Sequence, residues 1–190
     1  MAARWLALAL GAATATWLVF ARDPQRTTPA GPGLLVAPAD GRVLTVEPVE
    51  VAPPLAGWQG PGWRMVIFLS LWDVHVQRAP EGGMVTLSMP QAGGYAPAMT
   101  QAAAGNAGHW LGLATPMGQV LVLRAAGLLV RRVTTRVQPG DSVARGQRIG
   151  RIWLGSRCEV YLPQACIPAV RVNQHVRAGE SIIARASQAP

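Results

Sequence analysis

A strand-turn-strand pattern that occurs twice near the C-terminus is the strongest constraint on the fold. In the first copy, Val, Gly, Val, Gly and Ile follow one another at three-residue intervals over residues 137–149. The second copy covers residues 170–182, with Asn173 in place of Gly140. Gly and Asn both tolerate a left-handed backbone, so these positions are predicted turns between short strands. Two such units indicate a mainly β fold, a small β-sandwich or flattened barrel.

The composition agrees with this fold class. The chain has 21 Gly and 16 Pro, and only 14% of its residues are charged, which is typical of short strands joined by turns rather than of long soluble helices. The length of 190 residues allows one domain with an appendage. Strands are predicted over residues 41–51, 65–71, 84–89, 110–114, 119–123, 128–137 and 158–162.

The absence of lysine excludes several cofactors, because all 17 basic residues are Arg. Paired strand-turn-strand units also occur in lipoyl and biotinyl carrier domains, which need a lysine to modify. The chain therefore cannot be such a carrier, and it cannot hold pyridoxal phosphate on a lysine. The two cysteines, Cys158 and Cys166, lack a metal-pair spacing, and the chain has three histidines, His75, His109 and His175. No metal site is predicted.

The N-terminus carries an apolar run over residues 5–21 that contains no charge. It predicts a membrane anchor helix over residues 1–22, near the lower limit of length for a span. A removable signal peptide is the competing interpretation, but no clean Ala-x-Ala site ends the run. Arg22 and Arg26 follow the run and Arg4 precedes it, which favours a domain on the cytoplasmic side of the cell's inner membrane.

The remaining residues, 23–190, are predicted to form one β domain. The formal net charge of +8 favours an anionic partner. No compact Arg run with interleaved aromatics is present, so an anionic phospholipid surface is favoured over nucleic acid.

Three polar sites have an ordinary structural interpretation when each is taken alone. Asp40 lies in a Pro/Gly turn before a strand, and His75 comes just after a buried strand. Gly155 and Ser156 form a bend between two strands. A turn-forming Asp, a hydrogen-bonded His and a tight bend are each common, so only the three sites taken together indicate a function.

In this order the motifs resemble the phosphatidylserine decarboxylase family in its short, archaeal-type form, over nearly the whole chain. Residues 20–26 are similar to the family's F-F-R-D-P-x-R motif, 38–41 to P-A-D-G and 73–80 to D-V-H-V-x-R-x-P. Residues 126–132 and 146–150 are similar as well. The Leu-Gly-Ser sequence of 154–156, followed by V-Y-L-P, falls at the family's processing site.

The resemblance implies a self-processing enzyme that converts phosphatidylserine to phosphatidylethanolamine. Ser156 Oγ would attack the Gly155 carbonyl and turn the peptide into an ester. Loss of the Ser156 α-proton would eliminate the ester, and the resulting dehydroalanine would hydrolyse to a pyruvoyl group and ammonia. The products would be a heterodimer of residues 1–155 and 156–190. The implied cofactor is the covalent pyruvoyl group derived from Ser156, which is an electron sink for decarboxylation.

The resemblance also implies the catalytic roles of two residues. Asp40 would orient and stabilise the imidazole of His75, which would activate Ser156 and later protonate the carbanion. Larger bacterial members have a second His where this chain has Arg78, so His75 would serve both steps or share them with another group. The family often has N-E-R-N where residues 106–109 read N-A-G-H. The His of that segment is a substitute candidate or an exposed loop residue.

Three alternatives stay open from the sequence. A non-enzymatic β-sandwich adaptor tethered to the membrane would need neither Ser156 nor His75. A serine hydrolase could use Ser156, His75 and Asp40, although no G-x-S-x-G motif is present. A decarboxylase that acts on another amine-bearing lipid would share the same residues. The oligomeric state beyond the two cleavage chains also stays open.

Overall fold

Short strands dominate the residues that the computed structural model describes, namely 1–51, 60–127, 132–153 and 156–187. One helix, α1 (Ala2–Ala21), comes first. It is followed by β1 (Leu34–Val36), β2 (Gly41–Val51), β3 (Gly60–Leu69), β4 (Val76–Arg78), β5 (Gly83–Gln91), the 3-10 turn η1 (Gln101–Gly105), β6 (Gly108–Thr115) and β7 (Gly118–Ala125). The last strands are β8 (Val133–Thr135), β9 (Ser142–Val143), β10 (Arg148–Ile152), β11 (Ser156–Pro163), β12 (Cys166–Pro168), β13 (His175–Val176) and β14 (Ile182–Ala186). The predicted mainly β fold is confirmed.

The longest strands join one antiparallel eight-stranded sheet, in the order β13-β2-β3-β11-β7-β6-β5-β9. Two three-stranded sheets, β1-β14-β12 and β4-β10-β8, complete the fold. One hydrophobic core contains residues of all three sheets, including Leu35, Ile67, Val122, Ile149 and Ala184. The small sheets therefore pack against the large sheet, as burial of the apolar faces requires.

The two copies of the repeat fold as predicted. Gly140 and Asn173 have φ angles of 95° and 71°, and Gly146 and Gly179 have φ angles of 76° and 75°. The left-handed turns that Gly and Asn tolerate therefore occur at equivalent positions. The first copy forms β9 and β10, and the second forms β13 and β14. β9 and β13 lie at the two opposite edges of the eight-stranded sheet.

The apolar run at the N-terminus forms a helix, but the transmembrane anchor predicted over residues 1–22 is not supported. Within the described ranges, no helix is both long enough and apolar enough to cross a membrane.

The Pro-rich segment after α1 is bound along the β domain. Arg78 donates to the Pro24 carbonyl (3.0 Å), Arg148 to the Asp23 carboxylate (2.8 Å) and Arg145 to the Gly31 carbonyl (2.8 Å). These three arginines attach the segment to the β domain. The attachment brings the last turn of α1 next to His75.

Candidate active site

Two neighbouring loops bring His75 to the predicted cleavage bond. The segment 153–155 joins β10 to β11, and the loop 70–75 joins β3 to β4. β11 pairs with β3 through Ser156 and Leu69, and β10 pairs with β4. Both loops therefore connect the β3–β11 pair to the β4–β10 pair. Leu154, Gly155 and the side chain of Ser156 lie outside the described residues, so the bond itself is located only by its flanks.

One ring nitrogen of His75 has a hydrogen-bond partner, and no partner is found for the other among the described residues. Its side chain is buried, and Nδ1 lies 2.8 Å from the Asp73 carbonyl oxygen. A carbonyl can only accept, so Nδ1 carries the proton in the neutral ring and Nε2 is the basic nitrogen. Nε2 is buried and has no hydrogen-bond partner within the part of the chain that the structure describes. An unpaired buried nitrogen of this kind is available for proton transfer.

Aromatic side chains surround the imidazole. The rings of Phe20 and His75 are 4.5 Å apart at their centroids, and Phe20 lies 5.9 Å from Trp153. Trp17 stacks on Trp153 at 5.9 Å. Burial lowers the pKa of His75 to about 4, while the hydrogen bond to the Asp73 carbonyl opposes this shift. His75 is therefore neutral at pH 7.

Asp40 is buried, and both of its carboxylate oxygens have partners. Oδ2 accepts from Arg26 at 2.7 Å, and Oδ1 accepts from the backbone N–H of Ala178 at 2.7 Å. No hydrogen bond between Asp40 and His75 is found among the described residues. The Asp73 carbonyl contacts Nδ1 of His75, whereas Arg26 and Ala178 contact the Asp40 carboxylate. The catalytic role of Asp40 stays a prediction.

The Asp40 and His75 motifs are nevertheless adjacent. Arg78 donates its backbone N–H to the Pro38 carbonyl at 2.9 Å, which joins the two predicted motifs. Asp40 and Asp73 line the same charged cavity of about 430 Å³. Asp73 also accepts from Ser70 through one carboxylate oxygen and from His175 through the other, at 2.7 and 2.9 Å.

Phe20, Trp153 and Asp73 were not identified as site residues from the sequence. Asp73 stands two residues before His75 in the same motif, and that spacing is the signal that could have found it. Phe20 ends an apolar helix and has no such signal. Trp153 precedes the bond by two residues, and its indole nitrogen is buried without a partner in the described ranges. His75 Nε2 and Trp153 Nε1 are therefore two buried polar atoms without a partner in the described part of the chain.

His109 occupies a different environment from the one that was predicted. It lies on β6 rather than in an exposed loop, and its Nδ1 accepts from the guanidinium of Arg124 at 2.8 Å. Burial first and the Arg124 charge second lower the pKa of His109 to about 4. Asn106, which begins the N-A-G-H segment, is buried and binds Ala96 and Ala126 through its amide. Asn106 and His109 therefore both make structural contacts.

Comparison with known proteins identifies the family. The family model described as phosphatidylserine decarboxylase matches residues 14–184. The phosphatidylserine decarboxylase proenzyme of Granulibacter bethesdensis is 40% identical over 182 residues, which cover 95% of this chain and 73% of the relative. The proenzyme of Nitratidesulfovibrio vulgaris is 40% identical over 176 residues, 90% of this chain and 79% of the relative. The proenzyme of Mycolicibacterium vanbaalenii is 42% identical over 185 residues, which cover 95% of this chain and 78% of the relative.

No solved structure matches this chain. The matched range of the family model includes Asp40, His75 and the Gly155–Ser156 bond. It extends from the second half of α1 into β14, so it covers the described elements that surround these residues. The chain therefore belongs to the phosphatidylserine decarboxylase family.

Proposed function

We propose that this chain is a proenzyme that cleaves itself at Gly155–Ser156 and then decarboxylates phosphatidylserine to phosphatidylethanolamine. The observation that carries the proposal is His75, a family-motif histidine beside the segment that joins β10 to β11, whose buried Nε2 has no partner among the described residues. Family membership supports the substrate and the reaction.

In the proposed cleavage, His75 acts as the base. A serine hydroxyl is a weak nucleophile until a base takes its proton. The Asp73 carbonyl holds the proton on Nδ1, which leaves Nε2 to accept from Ser156 Oγ. The Oγ–carbon bond forms, the Gly155–Ser156 amide bond breaks, and the departing amine takes the proton. The low pKa of His75, about 4, favours passing that proton on to the amine.

The second stage breaks the chain. Removal of the Ser156 α-proton releases the Gly155 carboxylate, and the remaining dehydroalanine takes up water and loses ammonia. The pyruvoyl group formed in this way supplies an electron sink for the carbanion that remains when carbon dioxide leaves. His75, when protonated, is a strong enough acid to return a proton to that carbon.

The contacts of Arg78 support the assignment of the proton transfers in both self-cleavage and decarboxylation to His75. Arg78 stands where larger bacterial relatives of this family have a second histidine. Its guanidinium donates to the Gly146 carbonyl at 2.9 Å and to the Pro24 carbonyl at 3.0 Å. A side chain that holds two backbone segments together is not free to transfer protons. The proposal therefore assigns Arg78 to structure and proton transfer to His75.

The two cleavage chains are proposed to stay together as a heterodimer. β11 begins the 156–190 chain and pairs with β3 and β7 of the 1–155 chain on its two sides. The contacts of Asp40 with Ala178, and of Arg26 with Glu180 at 3.5 Å, also join the two chains. Loss of one peptide bond leaves these contacts in place.

We propose that the enzyme acts on the cytoplasmic surface of the cell's inner membrane, where its lipid substrate lies. Two observations support a lipid surface as the partner. The formal net charge is +8, which favours anionic headgroups. α1 exposes large apolar side chains, namely Trp5, Leu6, Leu8, Leu10, Trp17 and Leu18. Such side chains favour insertion into the headgroup region of a bilayer.

The test is an intact-mass measurement on the purified protein beside a Ser156→Ala variant, with both assayed on phosphatidylserine vesicles. We expect the wild type to give two chains, the short one lighter by one ammonia than a chain that begins with serine. Ser156→Ala should stay one chain and make no phosphatidylethanolamine. An uncleaved wild type would favour the adaptor alternative. Cleavage without turnover of phosphatidylserine would point to another amine-bearing lipid.

A further inference from the structure

The last turn of α1 is the part of the helix that enters the active site. Phe20 is 1% exposed, whereas Trp17 and Leu18, in the same turn, are 53% and 66% exposed. The Phe20 ring lies over the imidazole of His75, with 4.5 Å between the ring centroids. A large apolar side chain at this distance excludes water from the face of the imidazole that it covers.

Arg151 attaches this turn to the strand that leads to the cleavage bond. Its guanidinium donates to the carbonyls of Ala21 at 3.0 Å and of Phe20 and Arg22 at 3.5 Å. The last carbonyls of a helix lack partners within the helix, and an Arg side chain satisfies them well. The same guanidinium lies 5.5 Å from the Trp153 ring centroid. The helix end and the segment that carries the bond are therefore held by one side chain.

The helix end is also attached to the loop that carries His75, because Arg22 donates to the Trp72 carbonyl. Three nearby charged groups act on the imidazole. The Asp73 carboxylate favours its protonated form, and the charges of Arg151 and Arg22 oppose it. Burial, the largest of these influences, lowers the pKa in the same direction as the two arginines, and the ring stays neutral.

We propose that Phe20 is a positioning residue for His75, and that Arg151 holds it in place so that water is excluded while the chain cleaves itself. The inference rests on the proposed function, since it needs the ester intermediate at Ser156. That ester has two fates. Loss of the α-proton leads to the pyruvoyl group, whereas attack by water on the Gly155 carbonyl gives a short chain that begins with ordinary serine. Water is needed only after the chain has broken, so a closed site favours the first fate.

The first measurement is the composition of the short chain. We expect Phe20→Ala to raise the fraction that begins with serine by about fivefold or more, because water reaches the ester. Phe20→Leu keeps an apolar cover and should stay close to the wild type. Leu18→Ala is the matched control, since Leu18 lies in the same turn but is exposed. Intact mass separates the two products, which differ by the elements of ammonia.

The second measurement is an NMR titration of His75 in the uncleavable Ser156→Ala background, which does not depend on the proposed function. Phe20→Ala should move the His75 midpoint from about 4 towards its ordinary 6.5, and Leu18→Ala should leave it unchanged. Should Phe20→Ala fail to fold, Phe20→Val and Arg151→Lys take its place, with smaller shifts in the same direction, since Lys keeps the charge that acts on His75. An unchanged midpoint together with a fully pyruvoyl-capped short chain would overturn the inference. A wild type that does not cleave would instead overturn the proposed function.

Discussion

His75 and His109 belong to different parts of the molecule, yet burial lowers the pKa of both to about 4. They differ in what their ring nitrogens contact. His109 accepts from Arg124 through Nδ1 at 2.8 Å, and its Nε2 lies 3.4 Å from the hydroxyl of Ser88. His75 uses Nδ1 on the Asp73 carbonyl, and no hydrogen-bond partner of its Nε2 is found among the described residues.

The comparison shows that a shifted pKa by itself does not identify a catalytic base. The described hydrogen bonds of Arg124 go to His109 and to the Thr134 and Ile149 carbonyls, all neutral acceptors. A buried guanidinium without a carboxylate needs each of these acceptors. Neutral His109 is an acceptor for Arg124, whereas neutral His75 has a basic nitrogen for which no partner is found among the described residues, as the proposed base requires.

The largest expected effect is the loss of self-cleavage in His75→Gln. Gln keeps a polar side chain but cannot take a proton, so cleavage should slow by about 10²- to 10⁴-fold, the usual contribution of a general base. The measurement is the rate at which two chains appear on a denaturing gel during cell-free synthesis. His109→Gln is the matched control and should cleave within about threefold of the wild-type rate, since it removes no base. Cleavage by His75→Gln at the wild-type rate would move the search for the base to Asp40.

The next largest effect is a loss of stability in His109→Leu. Leu fills the space but leaves the Arg124 guanidinium without one of its acceptors, which should lower the free energy of unfolding by about 3 kcal/mol. His109→Gln restores an acceptor and should recover a large part of that loss. Urea unfolding in the Ser156→Ala background keeps the chain intact during the measurement. Equal stability of the Leu and Gln variants would show that Arg124 does not depend on this contact.

Much of the fold could be predicted because its signals are local. The strand predicted over residues 41–51 has the bounds of β2, and Asn173 adopts the left-handed turn that its alignment with Gly140 predicted. Gly and Asn restrict the backbone at their own positions, and alternation of apolar residues fixes which face of a strand is buried. The adjacency of the Asp40 and His75 motifs also followed from their shared family pattern.

The partners within the site could not be predicted in the same way. Arg26 reaches Asp40, and Phe20 reaches His75, only because the N-terminal segment is bound along the β domain. The acceptor that orients His75 is the backbone carbonyl of Asp73, and every residue has a carbonyl, so no side-chain pattern marks it. Hydropathy predicted the helix at the N-terminus, which α1 confirms, but no membrane span is found within the described ranges.

A smaller effect, shared by both histidines, is a dependence of stability on pH. Each histidine has a pKa of about 4 in the folded chain and the ordinary 6.5 when unfolded. Between these values the unfolded chain binds more protons, so the free energy of unfolding is highest above pH 6.5 and falls as the pH drops. By pH 5 the loss should be about 2 kcal/mol for His75, and less for His109, which is only partly buried and therefore partly screened by solvent.

Urea unfolding of Ser156→Ala at several pH values between 7.5 and 5 measures this loss. Adding His109→Gln should remove less than half of the dependence, and His75→Gln together with His109→Gln should remove nearly all of it. A dependence that survives in the double variant would have to come from other groups. A dependence that is undiminished in the double variant would mean that the two imidazoles are not kept neutral by burial.

The smallest effect is expected at His175, the third histidine, which is exposed and contacts Asp73 at 2.9 Å. His175→Ala should change the free energy of unfolding by less than about 1 kcal/mol, because contacts made by exposed polar side chains contribute little. Self-cleavage should also change little, since the Asp73 carbonyl, and not its carboxylate, binds His75. Urea unfolding and the cleavage time course measure both. A tenfold slower cleavage with unchanged stability would show that His175 helps to orient His75 through the side chain of Asp73. The difference between His75 and His109 would then depend also on residues that do not contact the imidazoles directly.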